Sequence, residues 1–150
     1  MIFVAFIAPL TAMTLEGRLP GERFLEDNPP RFGAVMSFVS RSHSLVLVDA
    51  RVEKPNYIIA KLLNKIARSF KINRKELKKV TLVEGEMRWL QYTFRKGAGG
   101  GFFYVTRQEN VFVYVLIYNF SYDALANDMP FVDRYIQELQ LVNDEQGTPP

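Results

Sequence analysis

The sequence predicts an α+β fold in which an antiparallel β-sheet is covered by two main helices, as an α/β/α sandwich. Short turns separate several strand-like runs, and strands joined by short turns pair antiparallel. Two further segments place apolar residues at helical spacing, so each has one face to bury against a sheet. The 12 Phe, 7 Tyr and 1 Trp lie mostly in strand-like runs, which favours a sheet-rich core.

The length of 150 residues predicts a single domain, 1–150, which can bury roughly two thirds of its unfolded surface. The hydrophobic fraction of 48% and the charged fraction of 23% are typical of globular proteins, so long disordered stretches are not expected. The chain contains no cysteine. Disulfides, a thiolate nucleophile and thiolate metal ligands are therefore excluded, while the cellular compartment stays open.

The first twelve residues, MIFVAFIAPLTA, support two interpretations. Residues 1–12 resemble the end of a signal peptide whose start lies upstream, which would favour a periplasmic or secreted protein. Alternatively, residues 2–7 form a first strand, and the protein is then cytoplasmic. The apolar run is too short to span a bilayer.

Residues 14–33 contain three Gly and three Pro without a lasting period, which predicts an irregular surface segment. Two strands follow at 34–40 and 44–52, joined by a turn around His43. In the second strand both faces are expected to be at least partly buried. One face presents Val46, Val48 and Ala50, and the other presents Leu45, Leu47 and Asp49.

A long helix is predicted to start at Pro55, whose fixed φ suits a first helical turn, and to end near Ile72. Its apolar stripe consists of Ile59, Leu62, Leu63, Ile66, Ala67 and Phe70. A short turn at 74–79 leads into strands at 80–84 and 87–95, with Gly85 in the tight connection between them.

The glycine cluster in RKGAGGGFFYV, residues 95–105, could hold a phosphate or form a turn. Phosphate-binding loops lead into the N-terminus of a helix, whose backbone amides bind the anion. Here strand-like residues lie on both sides of the glycine cluster, so a hairpin connection is predicted. Arg95 and Lys96 would then form a mobile, exposed, positively charged tip.

The chain is predicted to end with a central strand, a helix and a tail. The run at 111–120 is apolar on both faces, which indicates a strand in the middle of the sheet. Asp128 is predicted to cap a last helix with Pro130 in its first turn, and residues 143–150 form a flexible polar tail. The buried stripe of this helix is Phe131, Val132, Tyr135, Ile136 and Leu139.

Four stretches within residues 44–142 have the pattern of a known family: PNYIIAKLLNKIARSF, VEGEMRWLQYTF, FFYVTRQENVFVYVLIYNF and PFVDRYIQELQLV. They resemble the PsbP-like α/β/α sandwich family, which includes PsbP, DcrB-type envelope proteins and related secretion chaperones. Near the start, LPGERF places Phe24 where that family shows Trp. The resemblance implies a noncatalytic binding or accessory domain, and it specifies no particular partner.

The residues offer little for catalysis or metal binding. The single histidine, His43, lies in a turn without a suitably placed nucleophile, so no catalytic residue is predicted and the protein is not expected to be an enzyme. One histidine is too few for a typical zinc centre. Acidic residues near two turns, Asp49, Glu53, Glu84 and Glu86, lack the regular spacing of a calcium loop, so neither a metal nor a cofactor is predicted.

Positive charge is concentrated in residues 61–79, which hold eight basic side chains and one acidic, a net charge of +7 against +3 for the whole chain. This face is either a solvated helix surface or a docking patch. The predicted partner-binding residues are Lys61, Lys65, Arg68, Lys75, Arg95, Lys96, Trp89 and Tyr92. A protein partner is expected, an anionic membrane surface is an alternative, and nucleic acid is disfavoured because no recognised module is present.

The sheet aromatics either pack the core or leave an apolar groove on one face. They are Trp89, Tyr92, Phe94, Phe102, Phe103, Tyr104, Phe112, Tyr114, Tyr118 and Phe120. We therefore expect an accessory or chaperone-like binding domain of the bacterial cell envelope, docking through the aromatic sheet face or the basic helix. The alternatives are a small ligand-binding domain or enzyme with a sheet-lined pocket, and a membrane-surface binder using the basic helix.

Overall fold

A computed structural model describes residues 2–6 and 13–143 of the chain. It is an α+β fold built mainly from antiparallel strands, as predicted. The first part contains β1 (Ile2–Phe6), β2 (Met13–Arg18), β3 (Phe24–Glu26), β4 (Met36–Ser40), β5 (Leu45–Val52) and α1 (Ile59–Ser69). The second part contains β6 (Lys78–Glu84), β7 (Arg88–Lys96), β8 (Gly99–Gln108), β9 (Val111–Asn119), α2 (Tyr122–Leu125), α3 (Met129–Glu138) and β10 (Gln140–Asn143).

Seven strands form the large sheet in the order β3-β4-β5-β9-β8-β7-β6, and all neighbouring pairs are antiparallel. Strand β9 is the fourth of the seven, and eight of its nine residues are buried. Its central position confirms the prediction made from the apolar residues on both of its faces. A strand with apolar side chains on both sides needs cover on both sides, and only an interior position provides it.

The two faces of the large sheet are covered differently. Helix α1 packs its apolar side, including Leu62 and Ile66, against one face. Helix α3 packs against the opposite face together with β1 and β2, which contribute Phe3 and Leu15 to that core. The alternation along β5 divides as predicted, because Val46, Val48 and Ala50 face the α3 side while Leu47 faces the α1 side.

A second, three-stranded sheet, in the order β1-β2-β10, was not predicted. The prediction that residues 14–33 form an irregular surface segment is therefore wrong for β2 and β3, and Leu15, Leu19 and Phe24 are buried. The glycine and proline content concealed the strand. Gly17 is needed within β2 because a Cβ there would lie only 2.7 Å from the Tyr135 ring.

Helix α1 begins at Ile59, four residues after the predicted start at Pro55. Residues 55–58 are instead a turn and an extended stretch, held by Arg107, whose guanidinium donates to the carbonyl oxygens of Pro55 and Tyr57. The Tyr57 ring packs edge-on against Phe112, 5.4 Å between centroids. These tertiary contacts fix the backbone before the helix and delay its start.

The N-terminus of α1 has no side-chain cap, so replacing Ile58 should stabilise the protein. Ile58 is the N-cap residue, its side chain accepts no hydrogen bond, and the first turn contains no acidic residue. An Asp at this position can accept from the free backbone amides and lies at the positive end of the helix dipole. We expect Ile58→Asp to raise the free energy of unfolding by about 1 kcal/mol in urea denaturation. An unchanged or lower value would show that the Ile58 side chain already contributes as much by packing.

The prediction that Asp128 caps the last helix is correct for its position and wrong for its side chain. Asp128 is the N-cap residue of α3 and Pro130 lies in the first turn, but the Asp128 carboxylate caps no backbone amide. It is buried and binds Ser40 and Arg23 instead. Phe131, predicted to be buried, is 36% exposed, whereas Leu139 is buried.

The two ends of the chain are described only in part. Residues 2–6 form β1, which pairs with β2, and this is the strand alternative for that segment; residues 1 and 7–12 lie outside the described residues. Asn143 ends β10, and the rest of the predicted tail, 144–150, also lies outside them. No helix in the described part of the chain combines the length and apolarity needed to cross a membrane.

Candidate binding groove

An apolar groove lies on the α1 face of the large sheet, beside the end of helix α1. It encloses about 440 Å³. Its floor is formed by sheet residues Val39, Leu45, Phe94, Leu116 and Tyr118, and its wall by Phe70 and Ile72 after the helix. We call this the aromatic groove.

The groove exists because one helix cannot cover this face of the sheet. Seven strands at a spacing of about 4.8 Å make a sheet roughly 29 Å wide, whereas a helix covers a stripe about 10 Å wide. The floor runs from β4 through β5, β9 and β8 to β7, a distance of about 19 Å across four strand spacings. Leu25 in β3 pairs with Val39 and is 73% exposed, so apolar surface continues to the edge of the sheet.

A glycine shapes the floor. Gly101 in β8 is paired with Phe94 on one side and with Tyr118 on the other. The Cα atoms of residues two strands apart are about 9.6 Å apart, yet the Phe94 and Tyr118 rings stack with centroids 6.3 Å apart and planes at 12°. The two rings therefore lean toward each other over Gly101, which has no side chain to keep them apart.

Two exposed aromatic rings form part of the rim. Phe120 is 73% exposed and packs edge-on against Tyr118, while Phe32 is 63% exposed and lies 5.1 Å from Phe70 between ring centroids. Phe32 also has a φ of +56°, a conformation that bulky residues rarely adopt and that costs backbone energy. The fold thus holds a large apolar side chain in solvent at the groove, where it can contact a ligand.

Every ionisable side chain other than Tyr118 that lines the groove is basic: Arg31, His43 and Lys96. Lys96 donates from Nζ to the carbonyl oxygen of Phe70 at 2.7 Å, and its ammonium lies 5.8 Å from the centroid of the Tyr118 ring. Arg31 forms an ion pair with Asp27 at 3.1 Å. Among the described residues no acidic side chain lines the groove, so its rim favours an anionic or acidic ligand.

A second cleft of about 440 Å³ adjoins the groove and shares Phe32 and Phe70 with it. We call it the cationic cleft, because Arg51, Lys65 and Arg68 line it. Arg51 donates from Nε to the buried Asp49 carboxylate at 2.7 Å, and this hydrogen bond raises the pKa of Arg51.

The floor of the cationic cleft includes the buried phenol of Tyr114. Burial raises the pKa of Tyr114 first, and the negative charge of Asp49 raises it further. At neutral pH this phenol therefore keeps its proton and adds no negative charge to the cleft.

The structure brings together only some of the predicted partner-binding residues. Lys65 and Arg68 line the cationic cleft, and Lys96 lines the aromatic groove. Lys61 and Lys75 are exposed but line neither, and Lys75 belongs to a short 3₁₀ turn after the helix.

The other predicted partner-binding residues lie in the core or on the opposite face. Trp89 is 0% exposed in the core beneath α3, so it does not belong to a docking face, and Tyr92 is buried on the α1 side. Arg95 lies on the α3 side of the sheet, with its guanidinium 3.5 Å from the centroid of the Tyr122 ring.

The predicted hairpin is present and Arg95 and Lys96 beside its turn are exposed as predicted, but only one of the four glycines belongs to the turn. The turn consists of Gly97 and Ala98 only, and Gly97 supplies the positive φ of +60°. Gly99, Gly100 and Gly101 are buried in β8, where neighbouring strands come too close for a side chain. Both basic side chains of the supposed tip pack on aromatic rings.

Of the ten sheet aromatics, Phe94, Tyr118 and Phe120 line the groove, whereas most of the others belong to the core. Sequence reasoning missed Phe32 and His43. The only signal for Phe32 was an aromatic residue directly before a glycine in a polar segment, which is typical of an exposed turn.

Two of the acidic residues considered for a metal site are paired with arginines instead. Asp49 is bound to Arg51, and Glu84 accepts from Arg88 at 2.8 Å. Within residues 2–6 and 13–143 no three His, Asp or Glu side chains gather closely enough to hold a metal ion.

No protein-family model matches the chain, and no curated protein matches it. Its function is therefore inferred from the groove and the cleft themselves.

Proposed function

We propose that this chain is a noncatalytic binding domain, accessory or chaperone-like, whose aromatic groove takes the apolar side of an acidic amphipathic helix of a partner protein. The observation that carries the proposal is the combination of exposed aromatic rings with a basic rim. Phe32 and Phe120 offer apolar contact area, while Arg31, His43 and Lys96 surround it without an acidic side chain among the groove residues.

The dimensions suit a helix. A floor of about 19 Å matches roughly 13 helical residues at a rise of 1.5 Å each. An amphipathic helix lying in a groove buries residues at i, i+3, i+4 and i+7 and keeps its charged side at the rim. Aromatic residues commonly supply the largest share of affinity at such interfaces. Acidic residues on the partner would meet the basic rim, which speeds association and selects orientation.

The proposal includes a family relationship. Helix α1 on one face of the sheet and helix α3 on the other is the arrangement expected of a PsbP-like α/β/α sandwich, and the small sheet is an addition to that pattern. The resemblance of the sequence to that family implies an accessory role. A place in the bacterial cell envelope follows from the same resemblance and belongs to this proposal.

A second candidate is a small amphiphilic acid such as a fatty acid. The volume of the groove favours it, because about 440 Å³ lies within the usual range for small-molecule sites. The carboxylate of such an acid would pair with the basic rim, and its acyl chain would pack on the apolar floor. Dodecanoate separates the candidates, because it fills the groove without the length of a helix.

Phe120→Asp tests the proposal. Helical peptides of about 16 residues are selected for binding from a randomised display library, and the affinity of a fluorescein-labelled winner is measured by anisotropy. We expect the winners to be acidic on one side and apolar on the other, and Phe120→Asp to weaken binding by about 30-fold, the scale of a hot-spot residue. The change adds a repulsive carboxylate and removes an exposed ring, so it should not disturb the core.

Leu82→Asp is the matched control. Leu82 is 50% exposed on β6, the edge strand beside β7, and lines neither cleft, so binding should change by no more than about twofold. Equal effects of both variants, or winners without the amphipathic acidic pattern, would overturn the proposal. Dodecanoate binding without peptide binding would replace it with the small-acid candidate. Binding to anionic vesicles that Lys65→Glu with Lys75→Glu abolishes would instead favour the membrane alternative.

A further inference from the structure

We propose that the cationic cleft is an oxyanion subsite, which takes a carboxylate or phosphate group of the segment bound in the aromatic groove. This inference rests on the function proposed for the groove and specifies what the acidic side of the partner does. The cleft is lined by three cations and by the hydroxyl-bearing residues Ser69 and Tyr114, with no acidic side chain among its lining residues.

The three cations are incompletely neutralised. Arg51 uses its Nε–H on Asp49, and the neighbouring Tyr114 phenol lies within hydrogen-bonding reach of its guanidinium without adding a negative charge. Lys65 is 4.0 Å from the Glu53 carboxylate, the outer limit for an ion pair. Arg68 has no ion-pair partner in the described part of the chain. An incoming oxyanion therefore meets free donors on side chains that are already positioned.

Arg51 is the most firmly placed of the three. The buried Asp49 carboxylate, 3% exposed, holds the Arg51 guanidinium in place by accepting a hydrogen bond from Arg51 Nε at 2.7 Å. A guanidinium fixed at Nε presents its terminal nitrogens in one plane, which matches the spacing of two oxygens of a carboxylate or phosphate. Arg51 is thus pre-organised, and binding an anion costs little side-chain entropy.

One electrostatic effect opposes the site. The C-terminus of α1 lies at the cleft, and a helix C-terminus carries a partial negative charge of about half a unit. Lys96 offsets it by donating to the carbonyl oxygen of Phe70, and Arg68 lies in the last helical turn. The three cations of the cleft face two carboxylates, those of Asp49 and Glu53, which leaves a net charge of about +1. This charge exceeds the half unit of negative charge at the helix C-terminus, so the cleft attracts an anion.

The cleft and the groove are adjacent. Both are lined by Phe32 and Phe70, whose ring centroids are 5.1 Å apart. One turn of a helix rises about 5.4 Å, so a helix anchored in the groove places an acidic residue one or two turns further along at the cleft. This predicts that the partner segment carries Asp, Glu or a phosphorylated residue at such a spacing from its apolar anchor.

Inorganic phosphate tests the subsite without any partner. In ¹H–¹⁵N spectra of the intact chain, phosphate should shift the Nε–H signals of Arg51 and Arg68 and leave that of Arg134, an exposed residue on α3, unchanged. Arg68→Gln should weaken phosphate binding by about tenfold, the effect of losing one charge-assisted hydrogen bond, and the control Arg134→Gln by less than about twofold. Absent shifts, or shifts of equal size at all exposed arginines, would overturn the subsite while leaving the groove result intact.

A double-mutant cycle tests the link to the partner. The acidic residue of a selected peptide is changed from Glu to Gln and measured against the wild type and Arg68→Gln. We expect the Glu-to-Gln change to cost about tenfold in the wild type and little in the variant. If phosphate binds the arginines but the peptide change costs the same in both proteins, the anion is a free phosphate and the link to the partner is wrong.

Discussion

Replacing Gly101 with alanine is expected to lower the free energy of unfolding by at least about 3 kcal/mol. The added Cβ would overlap the carbonyl oxygen of Ile117 in the neighbouring strand and lie 3.0 Å from Cζ of Phe94. The obstacle is backbone in a central strand, so no flexible side chain can move aside. Relief requires β8 and β9 to separate, which weakens the pairing at the middle of the sheet.

Gly21→Ala is the matched control, because it adds the same methyl group in an open turn. No heavy atom lies within 4 Å of a Cβ built at Gly21, and the φ of Gly21 lies outside the left-handed region. Its stability should change by less than about 0.5 kcal/mol, with a small gain from the restricted unfolded chain. Urea denaturation of both variants, followed by far-UV circular dichroism, measures the difference.

The same substitution tests the construction of the groove floor. If Gly101 lets the Phe94 and Tyr118 rings meet, then the alanine variant should separate them and weaken peptide binding even at temperatures where it stays folded. A variant as stable as Gly21→Ala would contradict the close approach of the strands. A destabilised variant with unchanged affinity would contradict the role of this glycine in the floor.

The glycine cluster shows where local sequence patterns fail. Composition alone cannot distinguish a glycine turn from glycines in a strand, because both need the absence of a side chain. Gly99 and Gly101 have the same parity as Phe103 and Val105, so the strand pattern could have been extended backward through them. That extension leaves a two-residue turn at 97–98, which is the common hairpin length.

Features that depend on residues close in sequence could be predicted from local patterns. The central position of β9 follows from the apolar residues on both faces, and the buried side of α1 follows from the spacing of Leu62, Leu63 and Ile66. The small sheet could not be predicted from local patterns, because β10 pairs with β2 across more than a hundred residues of chain. The exposure of Phe32 depends on how a turn is held against α1, which no local period records.

The predicted partner-binding residues lie at different places in the fold because local sequence does not record which residues meet in space. Parity along β7 places Trp89 and Arg95 on the α3 side and Phe94 on the α1 side, so residues close in sequence face different cores. Lys96 is far in sequence from Lys65 and Arg68, yet it lies near them along the groove and the cleft because β7 ends beside the C-terminus of α1.

Asp128→Ala is the second substitution with a large expected effect, a loss of about 3 kcal/mol in the free energy of unfolding. The Asp128 side chain is fully buried and accepts hydrogen bonds from Ser40 Oγ at 2.6 Å and Arg23 Nε at 2.9 Å. These bonds connect the start of α3 with β4 and with the turn before β3. Its removal leaves a buried hydroxyl and a mostly buried guanidinium without their acceptor.

Asp123→Ala provides the control, because Asp123 is an exposed acid in α2 with no ion pair among the described residues. Its loss should cost no more than about 0.5 kcal/mol, the scale of a surface charge near a helix N-terminus. The Ser40 hydroxyl also accepts from the amides of Ser42 and Ser44 in the turn that carries His43 to the groove rim. Asp128→Ala should therefore weaken peptide binding as well as folding.

Combining Asp128→Ala with Arg23→Met identifies the source of the loss. If the unpaired guanidinium dominates, then removing it should restore part of the stability, and the double variant should lose at least about 1 kcal/mol less than the two single losses together. Arg23 also donates to the carbonyl oxygen of Asn127 at 2.9 Å, so some loss should remain. Strict additivity would mean that Asp128 acts only through Ser40, and the ion pair would then contribute nothing to holding β3 and α3 together.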